Sequence, residues 1–288
     1  MIRIGDICPV FFNPLKYEYA NKCSYRNCID TEDGIQLQVF CDEGEKPTAT
    51  LNDKLNSTST DIVFASTKIN EDITMFHAEL RPIEGIYTIT LEGKESEDFE
   101  VCENAGGILI EYSHKDNNSV FDNIFWMNDS QIIFKMRIQG GFKPSGISLA
   151  VDNEQFVNQI QEIVELYSIP YSTRTLIIGG IEGVPYYIAE MINKILCLSS
   201  VKIGEDYYVR EGNSVPELVE TIGKKEMFIY SVTLREGTNK IAGIGGQKEE
   251  SVTATGVSFS INNPNDGEVL VYSDDDNAFI NTNKLDSI

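Results

Sequence analysis

The residues best equipped for chemistry in this sequence are its cysteines: Cys8, Cys23, Cys28, Cys41, Cys102 and Cys197. Four of them fall near the start, and Cys23 and Cys28 are separated by four residues. Zinc takes thiolates or imidazoles in a tetrahedron, usually from two tight Cys-x2–4-Cys pairs. Here one pair sits at the wide limit, and Cys8 and Cys41 form no pair at all. Two readings stay open, a metal site on Cys8, Cys23, Cys28 and Cys41 or a set of reduced structural thiols. The second fits better, because Cys41 and Cys102 end apolar runs where cysteine serves as a small hydrophobe.

The remaining chemistry is sparse. His77 lies within a strand-like run and His114 in a polar turn, neither beside a serine or cysteine in a nucleophile motif. Gly179-Gly-Ile-Glu-Gly183 stands where a phosphate loop would stand, but it lacks the Gly-Lys-Ser/Thr ending and the Gly-x-Gly-x-x-Gly spacing. A tight turn into a helix is the better reading. Glycosidic hydrolysis needs two carboxylates poised across a cleft. Pairs such as Glu162/Glu165 and Asp98/Glu100 are what any acidic chain supplies. The run Asp274-Asp-Asp-Asn277 lacks the alternating oxygens and distal glutamate of a calcium loop. The sequence therefore predicts a non-enzymatic chain with no cofactor, no metal site and no catalytic residue.

Composition narrows the field further. In 288 residues, 45 acidic groups face 23 basic ones, a net charge of -22. Such a surface repels phosphate backbones, so sequence-specific nucleic-acid binding is excluded as an expectation. Residues 1–12 lack a basic start and a continuous apolar core, so no secretory signal is read, and no run is long and apolar enough for a membrane helix.

The elements that position these residues read as mostly β. Ile35-Gln-Leu-Gln-Val39 alternates strictly, as a half-buried strand does. Strand-like runs follow at Asp61–Ala65, Thr74–Leu80, Ile86–Leu91 and Asp98–Cys102, separated by turn-rich stretches. The expected organisation is an N-terminal extension at 1–30 and an Ig-like β-sandwich at 31–104. A β-rich domain of α+β character follows at 105–237, then a C-terminal extension at 238–288. In the third region strands are expected at Ile108–Ser113, Ser119–Trp126, Gln131–Ile138, Leu166–Ile178, Ser200–Ile203, Tyr207–Arg210 and Lys225–Arg235. Pro185–Leu198 reads as a helix, with Ile188, Met191, Ile192, Ile195 and Leu196 on one face. Asp152–Leu166 is ambiguous and reads as a second helix over 152–164, capped by Asp152 with Gln155 three residues on, and with Phe156, Ile160, Ile163 and Val164 on one side. The fold class expected is mainly β, sandwich domains with one or two short helices. In the extension, Val252–Ile261 and Glu268–Tyr272 are expected to pair and to contact neighbouring subunits.

The string Tyr167-Ser-Ile-Pro-Tyr-Ser-Thr-Arg-Thr-Leu-Ile-Ile-Gly179, Gly183-Val-Pro185, Ile192-Asn-Lys-Ile-Leu-Cys197 and Val201–Gly212 with Ser214-Val-Pro-Glu217 resembles a family of uncharacterised proteins. These are encoded by phages and prophages of Bacteroidetes, including crAss-like phages. Gly5-Asp-Ile, Phe11-Phe-Asn and Ile35–Val39 fit the same likeness, which covers residues 1–236. The resemblance implies a virion structural protein of the tail, hub, baseplate or connector, present as a ring of copies beside other phage structural proteins. It also implies assembly in the host cytoplasm, and it carries over no functional residues. The alternative expectation is an Ig-like adhesin or glycan-binding module. That would need an exposed aromatic platform drawn from Tyr17, Tyr19, Tyr25, Trp126, Tyr186 and Tyr187.

Overall fold

The computed structural model describes residues 2–12, 25–117, 123–127, 130–157, 159–222 and 227–237, with the backbone of three short strands beyond them. Residues 1–237 form one compact unit and 238–288 another.

The first ten strands are β1 (Arg3–Ile4), β2 (Asn27–Asp30), β3 (Ile35–Asp42), β4 (Ala49–Asp53), β5 (Thr58–Asp61), β6 (Ala65–Lys68), β7 (Ile73–Leu80), β8 (Gly85–Leu91), β9 (Lys94–Glu95) and β10 (Phe99–Cys102). They make two sheets, in the orders β1-β3-β7-β6 and β2-β10-β8-β4-β5, with β9 on β8. Leu37, Val39 and Cys41 of one sheet meet Ile29, Ile89, Leu91, Phe99 and Val101 of the other in a common core. This is a β-sandwich, the outcome expected when two half-apolar sheets must each cover a face. The expected strand at Asp61–Ala65 is instead the crossing between sheets, since β5 ends at Asp61 and β6 begins at Ala65.

The second half supplies β11 (Ile108–Ser113), β12 (Trp126–Met127), β13 (Ser130–Gln131), β14 (Phe134–Ile138), β15 (Gly140–Val157), β16 (Ile163–Ile178), α1 (Tyr186–Ile195), β17 (Ser200–Ile203), β18 (Asp206–Arg210), β19 (Glu217–Ile222) and β20 (Met227–Glu236). Apart from the β12–β13 pair these strands form one sheet, ordered β14-β11-β17-β18-β20-β16-β15 with β19 on β20. The helix lays Ile188, Met191, Ile192 and Ile195 into the core of that sheet. It ends earlier than the periodicity predicts, because Cys197 and Leu198 hydrogen-bond three residues back, to Lys194 and Ile195. The glycine turn ahead of it is structural. Gly183 N–H bonds to Gly179 C=O at 2.6 Å, and Gly183 has φ +76° with Phe228 N 2.9 Å from where a Cβ would sit.

The two halves are locked together, and the described residues of the expected N-terminal extension, 2–12 and 25–30, are part of the lock. β1 pairs with β3, and β2 lies parallel to β10. Between them Ile7 is buried in the core of the second half, while Cys8 and Val10 are buried in the first. Tyr112 Oη donates to Ile7 C=O at 2.7 Å, and Ile7 N–H donates to Asn123 Oδ1 at 3.2 Å. β3 is consequently covered on both faces, not half-buried. Gln38, on the polar phase of its alternation, is fully buried and clamps the Ile124 backbone, donating at 2.7 Å and accepting at 2.9 Å. Arg137 of β14 reaches the turn after β2, where its Nε and Nη2 meet the two Asp33 oxygens at 2.7 and 3.0 Å.

In the C-terminal unit β21 (Ser258–Phe259), β22 (Val269–Ser273) and β23 (Ala278–Thr282) form one sheet. Here β23 is the central strand, antiparallel to β22 and parallel to β21. The expected pairing of Val252–Ile261 with Glu268–Tyr272 is replaced by pairing of both to β23. Asp274–Asn277 lies outside the described residues.

Candidate functional site, a two-stranded arm

β15 and β16 are 18 and 16 residues long, far beyond the strands around them. β16 pairs with β20 only from Thr173 to Ile178. Outward from Ser172, among the described residues, the two strands pair only with each other, Leu149 opposite Ser172, Val151 opposite Pro170, Glu154 opposite Tyr167 and Val157 opposite Ile163. At about 3.3 Å per residue, the stretch from Leu149 to Val157 projects about 26 Å.

The expected helix at 152–164 is therefore corrected to the outer part of a hairpin. Val151, Val157, Ile160, Ile163 and Val164 are β-branched and favour the extended backbone. Gln161, at φ +62°, takes the chain back between the strands. Two irregularities interrupt the ladder, one at the root between Phe142 and Ile147 and one in the projecting part between Glu154 and Gln155. The sequence did carry a signal for this. Ile147-Ser-Leu-Ala-Val151 alternates as strictly as Ile35–Val39, and Leu166–Ile178 reads as extended.

The root of the arm is fixed. The Arg235 guanidinium lies 3.6 Å from the Tyr171 ring centroid, and Tyr171 Oη donates to Glu211 Oε1 at 2.7 Å. That hydrogen bond to a carboxylate raises the Tyr171 pKa. On the opposite face Arg174 stacks on Phe142 at 4.5 Å and donates to Tyr208 Oη at 3.0 Å.

Facing follows from the register. Ile147, Leu149 and Val151 share a side with Arg174, Leu176 and Ile178, which is the side that faces the core in the body of the sheet. Beyond the core the same side emerges bare, with Leu149 88% exposed. Nearer the tip, Phe156, Ile163 and Leu166 are also more than half exposed. Apolar groups in such numbers on a projecting hairpin mark a surface made to be covered. What the arrangement can do is bind, through apolar side chains and free strand edges.

The residues singled out in the sequence do not converge. Cys8 and Cys41 are buried in the sandwich core, where desolvation pushes both thiols up to about 11. Cys28 alternates away from that core beside Ile29, and Cys23 lies outside the described residues. Among the described residues no three His, Cys, Asp or Glu groups cluster to hold a metal. His77 lies 2.5 Å from Gln36 Oε1, and His114 Nδ1 accepts from Ser199 N–H at 3.0 Å. Asp98 pairs with Lys54 and Glu100 with Arg26, each at the surface, while Glu162 and Glu165 flank the arm tip. Of the aromatic platform, Tyr25 and Tyr187 are buried, Trp126 and Tyr186 are exposed, and Tyr17 and Tyr19 lie outside the described residues.

No protein-family model matches the chain, and no curated protein matches it. Among solved structures it is similar to the pullulanase from Anoxybacillus sp. LM18-11, at 12% identity and TM-score 0.18 over 55% of this chain and 24% of that one. The same enzyme complexed with maltotriose gives 11% and 0.19 with the same coverage. Dpr2 Ig1-Ig2 in complex with DIP-Theta Ig1-Ig3 gives 8% and 0.18 over 82% of this chain and 89% of that one. The chain spans about a quarter of the pullulanase length, and at these TM-scores none of the likenesses carries an argument about function.

Proposed function

We propose that this chain is a non-enzymatic structural subunit of a bacteriophage particle, a component of the tail, hub, baseplate or connector that works as a ring of copies. The observation that carries the reading is the arm. A two-stranded hairpin is marginal in water on its own, and one with exposed apolar side chains along most of its length gains stability when a neighbour covers it. The sequence resemblance supports the same reading, and so does a rigid body held by Gln38, Asp33 and Arg137 across its two halves. In this reading the C-terminal unit adds further contacts between copies, the flanking partners are other virion proteins, and assembly takes place in the bacterial cytoplasm. Subunits in such rings meet through heterologous surfaces, one face of each copy against a different face of the next.

The test is negative-stain electron microscopy of the purified full chain over a concentration series. Closed rings of uniform subunit number are expected. A field of single particles the size of one chain at every concentration would refute the ring.

A further inference from the structure

We infer that the occupant of the arm is the arm of a second copy of this chain, added edge to edge, so that β15 of one copy hydrogen-bonds β16 of the next. The inference rests on the proposed assembly and names the surface that makes it. Both outer edges of the hairpin present ladder groups that no other described strand takes up. A long exposed edge is a template for strand addition. Here one element offers two such edges of opposite direction. A neighbour standing at the same height in a ring brings its β16 antiparallel to the free edge of β15, and the addition repeats around the ring.

Area supports a stable contact. Eleven large apolar side chains between Ile147 and Ile169 are exposed by 40% or more. A fully exposed aliphatic side chain corresponds to about 60–120 Å² of apolar surface. At their actual exposures the set offers roughly 500 Å². A standard interface buries about 800 Å² per partner, a little over half of it apolar, or about 450 Å². Shared between the two neighbours of a ring, the area of the arm comes to about 250 Å² at each contact, so the arm supplies roughly half of the apolar area of a standard interface and the bodies of the copies supply the rest.

Charge chooses the register. The arm carries Asp152, Glu154, Glu162 and Glu165, and it has no basic residue from Pro144 to Thr173. Like carboxylates set directly opposite would oppose pairing. Inside the hairpin they avoid one another, since Asp152 faces Ile169, Glu154 faces Tyr167 and Glu165 faces Gln155. A second copy at equal height meets the same pairs across the new edge. Its Ile169 and Tyr167 come beside Asp152 and Glu154, and its Glu165 comes beside Gln155. A partner arm displaced toward Glu154–Glu165 opposition is disfavoured, which makes the level arrangement of a planar ring the favoured one.

The test uses the full chain, with mass measured by light scattering from 1 to 100 µM. Leu149→Glu and, separately, Ile163→Glu place a charge on exposed side chains, so near-ultraviolet circular dichroism should match the parent. Each is expected to weaken association at least tenfold. In a second arm, Asp152→Cys chains are mixed with Ile169→Cys chains, the two positions that the level register brings together. A disulfide-linked dimer beyond the background of either variant alone is expected only in the mixture. Oligomers that ignore both glutamates and give no added cross-link would overturn the inference while leaving the assembly reading intact. A parent chain that stays monomeric throughout would overturn both. A monomer whose arm amides resist hydrogen exchange would overturn the inference by showing that the chain's own segments cover the arm.

Discussion

Replacing Arg137 by methionine keeps most of the side-chain volume and removes the guanidinium that ties β14 to the turn after β2. The pair it breaks is bidentate, at 2.7 and 3.0 Å, with side chains only 16% and 6% exposed. The Asp33 carboxylate is left with the Asp30 N–H at 3.1 Å, and the Ala105 carbonyl loses its 3.2 Å donor. Stranding one member of a buried pair costs about 3–5 kcal/mol. Because Asp33 keeps one backbone donor, about 3–4 kcal/mol is expected, a drop in Tm on the order of 10 °C for a unit of this size. Urea unfolding of the full chain, followed by tryptophan fluorescence and far-ultraviolet circular dichroism, reads the loss. Asp33→Leu combined with Arg137→Met should cost clearly less than the sum of the single changes, by about 2 kcal/mol, since no charge is then left buried. A single-variant loss below about 1 kcal/mol, or strict additivity in the double variant, would refute the argument that this pair joins the two halves.

Three further outcomes are expected. Copies of net charge -22 repel, so association should strengthen several-fold between 50 and 500 mM NaCl as screening shortens the repulsion; weakening with salt would show that ion pairs hold the contact. Among the thiols of known placement, Cys197 is exposed whereas Cys8 and Cys41 are buried with pKa values pushed up to about 11. At pH 8 iodoacetamide should therefore label Cys197 first and leave the other two unmodified until the chain unfolds, as peptide mass spectrometry would record. His77 has its pKa lowered by burial, against the opposing pull of Glu79. The folded state thus favours the neutral ring, and its contribution is present above the unfolded value near 6.5 and lost as pH falls through the lower folded value. His77→Gln should flatten that part of the stability profile relative to the parent, and an unchanged profile would sink the assignment.

Local pattern identified most of the strands, and for a physical reason. Where one face of a strand meets the core and the other is only partly covered, as in Phe134-Lys-Met-Arg-Ile138, the period of two is written in the residues. It misled where cover came from elsewhere in the chain. Gln38 reads as a solvent-facing position, yet it is fully buried because Ile124, 86 residues away, supplies its partner. The arm was misread for the opposite reason. Its apolar residues are largely exposed in the single chain, the irregularity between Glu154 and Gln155 breaks the period of two begun at Ile147–Val151, and Phe156, Ile160, Ile163 and Val164 fall by chance on a helical spacing. β19 escaped notice because Glu217 and Glu220 sit among its apolar residues on a half-bare strand. The binding surface was thus least legible where it leaves the core.

The threading of Ile7 into one core and of Cys8 and Val10 into the other also bears on how the chain acquires its shape. These residues leave the ribosome well ahead of their partners, since Ile7 finds Tyr112 and Asn123 only after more than a hundred further residues have been made. Asp6 meets Lys194 later still. The core between the two sandwich sheets is built from the first half alone, but the outer face of β3 and β7, where Gln38, Phe40 and Met75 meet Ile124, stays uncovered until the second half is made. Contacts so distant in sequence are slow to close, because loop entropy is lost before they form. The nascent chain therefore carries open strand edges until translation is well past α1, and the lock that makes the finished body rigid is among the last parts of it to shut.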